Sequence, residues 1–348
     1  MRLSDFWFDL PPELIAQAPP AERGTSRLLV VDRATREWRH HRIADLPSLL
    51  VAGDLIVVND TRVIAARLIG RRDPSGGMVE CLLLRQIGAD TWDALMHPGQ
   101  KMKPGTIARF GAPPNVLVAE VSSRHTFGRR TIRLIREGGG SVDDAIDAIG
   151  HVPLPPYIKR PDAPLDRDRY QTTFARRRGS VAAPTAGLHF TPTILDALAA
   201  RGVEQAAITL HVGYGTFKPI RTDNISAHTI DAERYDIAED TARRIEHARH
   251  ASRRIIAVGT TTTRTLEAVA ARSGGSIVAG SGEADLFITP GHLFRVVGGL
   301  LTNFHLPQSS LLVLVCAFAG RELVLDAYRA AIAEGYRFYS YGDAMLIL

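Results

Sequence analysis

Histidine, threonine and glycine are concentrated in three short segments of the chain, each of which follows a run of apolar residues. The segments have the sequences PTAGLHF (residues 184–190), HVGYGTF (211–217) and GTTTTR (259–264). Histidine is the side chain best suited to proton transfer near neutral pH, threonine adds a hydroxyl donor, and glycine lets the backbone approach a ligand closely. The three segments therefore indicate a site that combines ligand binding with acid–base chemistry.

Each segment taken alone has a simpler interpretation. Glycine and threonine are common turn and cap residues, and a histidine at the end of a strand need not contact a ligand. Repetition of one pattern in the first two segments favours a site. For the third segment, a capped helix with a solvated Arg264 stays open as an alternative to an anion-binding helix start at which Arg264 pairs with a carboxylate.

The flanking residues predict the α/β elements that would position these segments. The apolar run 181–183 is an expected strand before the first segment, and Thr191 and Pro192 after it are an N-cap and a first helical residue. That helix should end near Arg201, before Gly202, which can adopt the left-handed cap conformation. Loops after the carboxyl ends of strands line the ligand crevice of an α/β sheet, so we expect the three segments to converge on one ligand.

The residues between 62 and 152 follow a different pattern. Short runs of β-forming residues recur there about every ten residues and are separated by Gly, Pro, Asp and Ser. This spacing predicts an antiparallel barrel or sandwich inserted into the α/β chain, with PLPPY (153–157) as a stiff return linker. The α/β domain would then consist of residues 1–61 and 153–348.

Composition and charge exclude several classes of protein. The chain has 348 residues, of which 45% are hydrophobic, enough for about two domain cores. The longest apolar run, 311–319, is too short for a membrane span, and the N-terminus lacks the apolar core of a secretory signal. Cys81 and Cys316 lie far apart without metal-ligand spacing. We therefore expect a cytoplasmic protein with no membrane partner, no disulfide and no bound metal.

The net charge of +5 suits a polyanionic partner, although an excess of arginine is also what a GC-rich genome produces. Lys101 and Lys103 in the inserted region, and Lys159 and Arg160 in the linker, belong to local basic clusters. Solvated charge is the simpler interpretation of each residue singly. The aromatic residues are sparse and are not interleaved with these clusters, so the sequence predicts no stacking platform for single-stranded nucleic acid.

The common nucleotide-binding and hydrolase motifs, including G-x-G-x-x-G, the Walker lysine, G-x-S-x-G and H-E-x-x-H, do not occur in the sequence. Other motifs, in order along nearly the whole chain, are LPPELIAQ (10–17), SRLLVVDR (26–33), GDLIVVNDTRVI (53–64), PLPPYIKR (153–160), SVAAPTAGLHFTP (180–192), TLHVGYGTFKPI (209–220), AVGTTTTRTLE (257–267), TNFHLPQSS (302–310) and YRFYSYGDAM (336–345). Together they resemble the S-adenosylmethionine:tRNA ribosyltransferase-isomerase family of queuosine biosynthesis.

The resemblance implies a larger α/β domain with a mixed sheet and an inserted antiparallel β-barrel domain. It also implies a reaction in which the ribosyl part of S-adenosylmethionine moves onto 7-aminomethyl-7-deazaguanine at the tRNA wobble position. Rearrangement there gives epoxyqueuosine with loss of adenine and methionine. S-adenosylmethionine is thus a substrate and no separate cofactor is implied, the partner is the modified tRNA, and we expect a monomer.

Such a reaction needs two or three proton-transfer groups, because a carbon next to the sulfonium, the leaving adenine and the attacking amine all exchange protons. The candidate catalytic residues are His189, His211, His228, Glu233 and Asp343, with His189 favoured as the base. The candidates for binding S-adenosylmethionine are Thr185, Gly187, Gly213, Gly215, Thr216, Thr260, Thr261 and Arg264. The candidates for binding tRNA are Lys101, Lys103, Lys159 and Arg160.

One departure from the family pattern bears on these assignments. Where the family is expected to have His-x-Met-His-x-Glu, this chain has Asp231 at the second histidine position. His228 and Glu233 are therefore the transferable pair of that motif. Two other classes of function stay open: an RNA methyltransferase, which would produce S-adenosylhomocysteine, and a tRNA-binding module without catalysis, which would release no adenine.

Overall fold

The computed structural model describes residues 1–217 and 219–348, and the side chains of Thr216 and Phe217 lie outside that description. The strands in the described chain are β1 Arg27–Asp32, β2 Glu37–Arg42, β3 Leu55–Asn59, β4 Thr61–Val63, β5 Arg67–Asp73, β6 Met78–Gln86, β7 Thr91–His97, β8 Ile107–Ala112, β9 Asn115–Arg124, β10 Arg129–Arg136, β11 Arg177–Ser180, β12 Glu204–Leu210, β13 Glu233–Ile237, β14 Ile255–Val258, β15 Gly280–Ala284, β16 Gly299–Asn303 and β17 Ala344–Ile347. The α-helices are α1 Leu46–Leu49, α2 Val142–Ile149, α3 Asp166–Arg169, α4 Pro192–Ala200, α5 Glu239–His250, α6 Thr260–Arg272, α7 Ser310–Ala319 and α8 Arg321–Ala333.

The larger domain is built on one mixed sheet. Its strand order is β15-β13-β12-β3-β14-β16-β17-β1-β2. The pairs β12–β3, β3–β14, β14–β16 and β17–β1 are parallel, and the remaining neighbours are antiparallel. The mixed sheet predicted for the α/β domain is confirmed.

Both faces of this sheet are buried, which explains why its central strands are continuous apolar runs instead of alternating ones. In β3, Leu55 and Val57 pack into the core on the side of helices α5 to α8. Ile56 and Val58 belong to the core on the opposite face, where α4 packs. The sheet is therefore a rigid platform on which the loops at its strand ends can carry functional groups.

The inserted region forms a closed antiparallel barrel with strand order β10-β7-β6-β5-β8-β9. Its interior is filled by apolar side chains such as Leu83, Phe110 and Leu134, and α2 packs against the barrel. Of the two alternatives that the sequence left open, the barrel is correct. The barrel strands and α2 together run from Arg67 to Ile149.

Helix α4 begins and ends as its sequence predicted. The Thr191 hydroxyl accepts a hydrogen bond from the amide of Ile194, Pro192 is the first helical residue, and Gly202 has a left-handed φ of +78°. The apolar run 311–319 forms most of helix α7, Ser310–Ala319. In the described chain, none of the helices combines the length and apolarity needed to cross a membrane.

The expected strand at 181–183 is wrong. The strand ends at Ser180, and β11 pairs with β4 in a separate parallel ribbon instead of joining the large sheet. The physical reason is that Ser180 and the residues after it are held against the second segment. The Ser180 hydroxyl accepts the Val212 amide at 2.9 Å, and the Val212 carbonyl accepts the amide of Val181 at 3.1 Å.

Candidate active site

One hollow lies where the three segments rich in His, Thr and Gly meet. Its walls come from Ala183 and residues 184–186 of the first segment, Val212 of the second and residues 259–261 of the third. Residues after β16 and near the C-terminus complete it. The hollow is narrow, with a cavity volume of about 40 Å³. The convergence of three loops expected from the sequence is therefore present in the structure.

Helix α6 presents its first turn to this hollow. Gly259, just before the helix, has a left-handed φ of +93°, and its amide donates to the backbone of β16. The hydroxyls of Thr262 and Thr263 donate to carbonyls one turn earlier, at 2.8 and 3.1 Å, and serve the helix itself. Thr260 and Thr261 line the hollow, and among the described residues their backbone amides have no hydrogen-bond acceptor. The helix start is thus prepared for an anion.

Asn303, at the end of β16, connects the hollow to His189. Its side-chain oxygen accepts the Thr185 hydroxyl at 3.1 Å, and its amide nitrogen lies 3.1 Å from Nε2 of His189. Asn303 lines the hollow, whereas His189 lies behind it. Burial lowers the pKa of His189 to about 4, so the ring is neutral near pH 7. Because an amide NH₂ only donates, Nε2 of His189 accepts in this contact.

His189 also borders a second, smaller hollow on its far side. Arg23 and Arg169 line this hollow. Their guanidinium groups donate to backbone carbonyls, including Gln171 for Arg23 and Ala21 for Arg169. The positive charge of Arg23 further opposes protonation of His189 and so lowers its pKa.

His305 lines the hollow directly, and sequence reasoning missed it. Its Nε2 lies 2.9 Å from the Thr302 hydroxyl, and its backbone amide donates to the Tyr328 hydroxyl at 3.0 Å. Burial lowers its pKa to about 3. The structure records no partner for Nδ1 in the described chain, which leaves this nitrogen available to a ligand. Its position in the TNFHLPQSS motif, just after the end of a strand, could have identified it as a candidate. The histidines of the first two segments were chosen because they occupy the same kind of position.

Glu233 and Arg264 form a buried ion pair beside the hollow. Arg264 is 7% exposed and Glu233 is 4% exposed, and Nη2 of Arg264 contacts Oε2 of Glu233. The other carboxylate oxygen, Oε1, accepts the amide of Gly213 at 2.9 Å. Burial lowers the pKa of Arg264 to about 10, which leaves it charged at neutral pH. The alternative of a solvated Arg264 is therefore wrong, because the side chain ties α6 to the second segment.

His211 lies at the junction of the two domains and does not line the hollow. Its Nδ1 is 2.8 Å from the Thr61 hydroxyl, and its ring packs against Gly179 so closely that a side chain there would clash. Burial lowers its pKa. In this position His211 supports the β4–β11 ribbon.

His228 and Asp343 also lie away from the hollow's lining. The His228 ring packs edge-on against Phe287, with ring centroids 5.1 Å apart, and burial lowers its pKa. The carboxylate of Asp343 accepts the backbone amides of Arg27 and Arg337, each at 2.8 Å. Burial raises the pKa of Asp343. Both oxygens of Asp343 therefore anchor backbone.

The glycine candidates differ in what surrounds them. A side chain at Gly187 would collide with Thr172 and Phe174, and one at Gly215 would collide with Asp231, so close packing requires glycine at both positions. Gly213 donates its amide to Glu233. The side chain of the remaining candidate in this segment, Thr216, lies outside the described residues.

The four candidates for tRNA contact fall into two groups. Lys101, Lys103 and Lys159 are exposed, and no ion pair is recorded for them in the described chain. Arg160 instead holds the buried carboxylate of Asp166 with two hydrogen bonds of 2.7 and 2.8 Å. Its guanidinium is therefore committed to the protein interior.

Comparison with known proteins agrees with this architecture. A family model described as "Queuosine biosynthesis protein" matches residues 3–347. Proteins named S-adenosylmethionine:tRNA ribosyltransferase-isomerase are 48% identical in Desulfitobacterium hafniense and 50% identical in Syntrophotalea carbinolica, and each match covers all of both chains. A crystal structure of S-adenosylmethionine tRNA ribosyltransferase from Thermotoga maritima is 37% identical, with a TM-score of 0.56 over 99% of this chain and 100% of that one. The chain therefore belongs to the S-adenosylmethionine:tRNA ribosyltransferase-isomerase family of queuosine biosynthesis and is a transferase-isomerase enzyme.

Proposed function

We propose that this enzyme transfers and isomerises the ribosyl moiety of S-adenosylmethionine onto 7-aminomethyl-7-deazaguanine at the wobble position of tRNA. The products are epoxyqueuosine in the tRNA, adenine and methionine. S-adenosylmethionine is consumed as a substrate, and the proposal includes no further cofactor. The observation that supports it most directly is the single hollow shared by three segments, whose walls combine a free helix start, hydroxyl groups and a histidine.

In this proposal the start of α6 binds the carboxylate of the methionine part. The free amides of Thr260 and Thr261 and the dipole of the helix favour a negative group there. Thr185 and the apolar walls formed by Ala186 and Leu311 face the rest of the ligand. Glu233 and Arg264 do not touch the ligand; they hold Gly213 and the second segment in place.

Two histidines are candidates for the base that removes a proton from the carbon next to the sulfonium. His305 faces the hollow directly, whereas His189 reaches it through Asn303. Both are neutral near pH 7 because burial lowers their pKa values, which also makes each a weaker base than an exposed histidine. The one free lone pair of neutral His189 already accepts from the Asn303 amide, so His305 is the better candidate. His211, His228 and Asp343 would then shape the surrounding loops.

Product analysis tests the reaction. The wild-type enzyme, mixed with S-adenosylmethionine and tRNA carrying the 7-aminomethyl-7-deazaguanine base, should release adenine and methionine in equal amounts, and omission of the modified base should abolish the release. Formation of S-adenosylhomocysteine would instead identify a methyltransferase. Binding of the tRNA without any small-molecule product would identify a binding module without catalysis.

A further inference from the structure

A groove runs between the barrel and the α/β domain, separate from the hollow. It has a volume of about 520 Å³ and is lined on the barrel side by residues that include His97, Arg124 and Phe127. Tyr214 lines it from the α/β domain. Tyr214 is two residues after Val212, which lines the hollow, so the chain separates the two walls by at most about 7 Å. The two walls are therefore close neighbours along the chain.

Phe127 is the most exposed large hydrophobic side chain of the described residues, at 88%. It occupies the turn between β9 and β10 with a left-handed φ of +51°, a conformation that a bulky residue rarely adopts. The guanidinium of Arg221, from the α/β domain, lies 5.9 Å from the centre of its ring. A single exposed apolar residue is common on protein surfaces and means little by itself. The position of Phe127 in a groove and among cations is what distinguishes it.

Two cations at this groove, Arg124 in its lining and Arg221 beside the Phe127 ring, form no ion pair in the part of the chain that the structure describes. Glu80, the acidic residue of the lining, is itself paired with Arg67. Elsewhere on the barrel, arginines are neutralised, as Arg133 is by Asp90 at 2.7 Å, Arg129 by Asp93 at 2.7 Å and Arg109 by Asp73 at 2.9 Å. Unpaired positive charge beside an exposed aromatic ring is the combination that binds single-stranded nucleic acid.

We propose that this groove holds unpaired nucleotides of an RNA loop and that the ring of Phe127 stacks on one of their bases. The inference rests on the proposed function, which makes tRNA the substrate, and it adds where the loop is held. Proteins recognise RNA loops by stacking splayed-out bases on aromatic rings and on arginine planes, and Phe127 and Arg221 supply both. This proposal departs from the expectation of no stacking platform, because Phe127 lies in the segment RHTFGRR, between Arg124 and Arg129.

The test measures binding of an anticodon stem-loop RNA by fluorescence anisotropy to the full-length enzyme. Phe127→Ala should weaken binding roughly 5- to 150-fold, the range expected for loss of one stacked base. Phe127→Tyr keeps the ring and should bind within about twofold of wild type. Leu293→Ala removes another exposed apolar side chain, 80% exposed and outside the groove's lining, and should change nothing. A blunt RNA duplex without a loop should bind wild type and Phe127→Ala equally.

The dependence of affinity on salt separates stacking from charge. Phe127→Ala should leave the slope of log affinity against log salt unchanged, whereas Arg124→Ala should reduce it because a phosphate contact is lost. Equal affinity of wild type and Phe127→Ala for the stem-loop, in an enzyme that still releases adenine from the modified tRNA, overturns this inference and leaves the proposed function intact. An enzyme that neither binds the stem-loop nor releases adenine overturns both.

Discussion

Glu233 at the start of β13 and Arg264 on α6 form an ion pair in which each residue is less than a tenth exposed. Through the second carboxylate oxygen, the same pair holds the amide of Gly213. A charge taken out of water is costly unless its partner stays in place. The loop that carries Val212 to the hollow and Tyr214 to the groove is therefore fixed by a contact that spans α6 and β13.

Removal of one member of this pair should destabilise the protein. Arg264→Met should lower the free energy of unfolding by about 3–5 kcal/mol, because it removes one half of a buried ion pair. The double variant Arg264→Met/Glu233→Gln should regain part of that loss, since the second half of the buried ion pair is then neutral as well. Urea unfolding measures both. The matched control is Arg243→Met, which breaks an exposed ion pair with Asp240 and should cost less than about 1 kcal/mol. A loss as small as the control's for Arg264→Met would contradict this account.

The two buried histidines should differ in their effect on turnover. His305→Gln should lower kcat by about 10²- to 10⁴-fold with little change in affinity for S-adenosylmethionine, if its Nδ1 accepts the proton. His189→Gln should lower kcat less, because the ring acts through Asn303. Single-turnover adenine release, with His247→Gln on the exposed face of α5 as control, gives the comparison. A larger kcat loss for His189→Gln than for His305→Gln would exchange the two assignments.

The free energy of unfolding should decrease as the pH is lowered through the range in which the buried histidines are protonated only in the unfolded chain. His189 has its pKa lowered from 6.5 to about 4 by burial. Between those values the unfolded chain binds more protons, so the free energy of unfolding decreases as pH falls from 6.5 towards 4. His189 alone accounts for up to about 3 kcal/mol of this loss. Urea unfolding of His189→Asn should show a shallower slope than wild type over that range. An unchanged slope would mean that His189 is already protonated or accessible to water in the folded state.

The basic candidates for tRNA contact should separate into two kinds. Lys101→Ala and Lys103→Ala should each weaken RNA binding and reduce its salt slope by roughly one, without a change in stability. Arg160→Met should instead lower the midpoint temperature of thermal unfolding, because it removes two hydrogen bonds from the buried carboxylate of Asp166. Anisotropy titrations at several salt concentrations, together with thermal unfolding, distinguish the two. A reduced salt slope with unaltered stability in Arg160→Met would place that residue on the RNA instead.

Local signals in the sequence were enough for several elements. The bounds of α4 are set by Thr191, Pro192 and Gly202 through contacts with residues only a few positions away. Contacts of this kind can be predicted from a short stretch of sequence. The three segments rich in His, Thr and Gly, which follow β11, β12 and β14, converge on one hollow as expected. Near residue 62 the alternation of strands and helices gives way to short β-forming runs about ten residues apart. This change of pattern predicted the inserted β domain.

Features that depend on distant partners were not predictable in this way. The pairing of β11 with β4 joins residues that are far apart in sequence, and nothing near 181–183 shows that the strand ends early. Asn303 occupies the place between His189 and the hollow, and this depends on how β16 packs against the first segment. Phe127 is exposed because it lies in the turn between two barrel strands. The residue type alone does not show whether a phenylalanine is exposed or buried.

Calorimetric titration of hollow-filling variants tests whether the three segments bind one molecule of S-adenosylmethionine between them. Thr185→Trp, Val212→Trp and Thr261→Trp each place a bulky ring in the hollow from a different wall, with Leu293→Trp as the surface control. All three variants should lose at least about tenfold in affinity for S-adenosylmethionine, worth 1.4 kcal/mol, while the control binds as wild type does. Wild-type affinity in correctly folded variants from any two of the three walls would contradict a shared site.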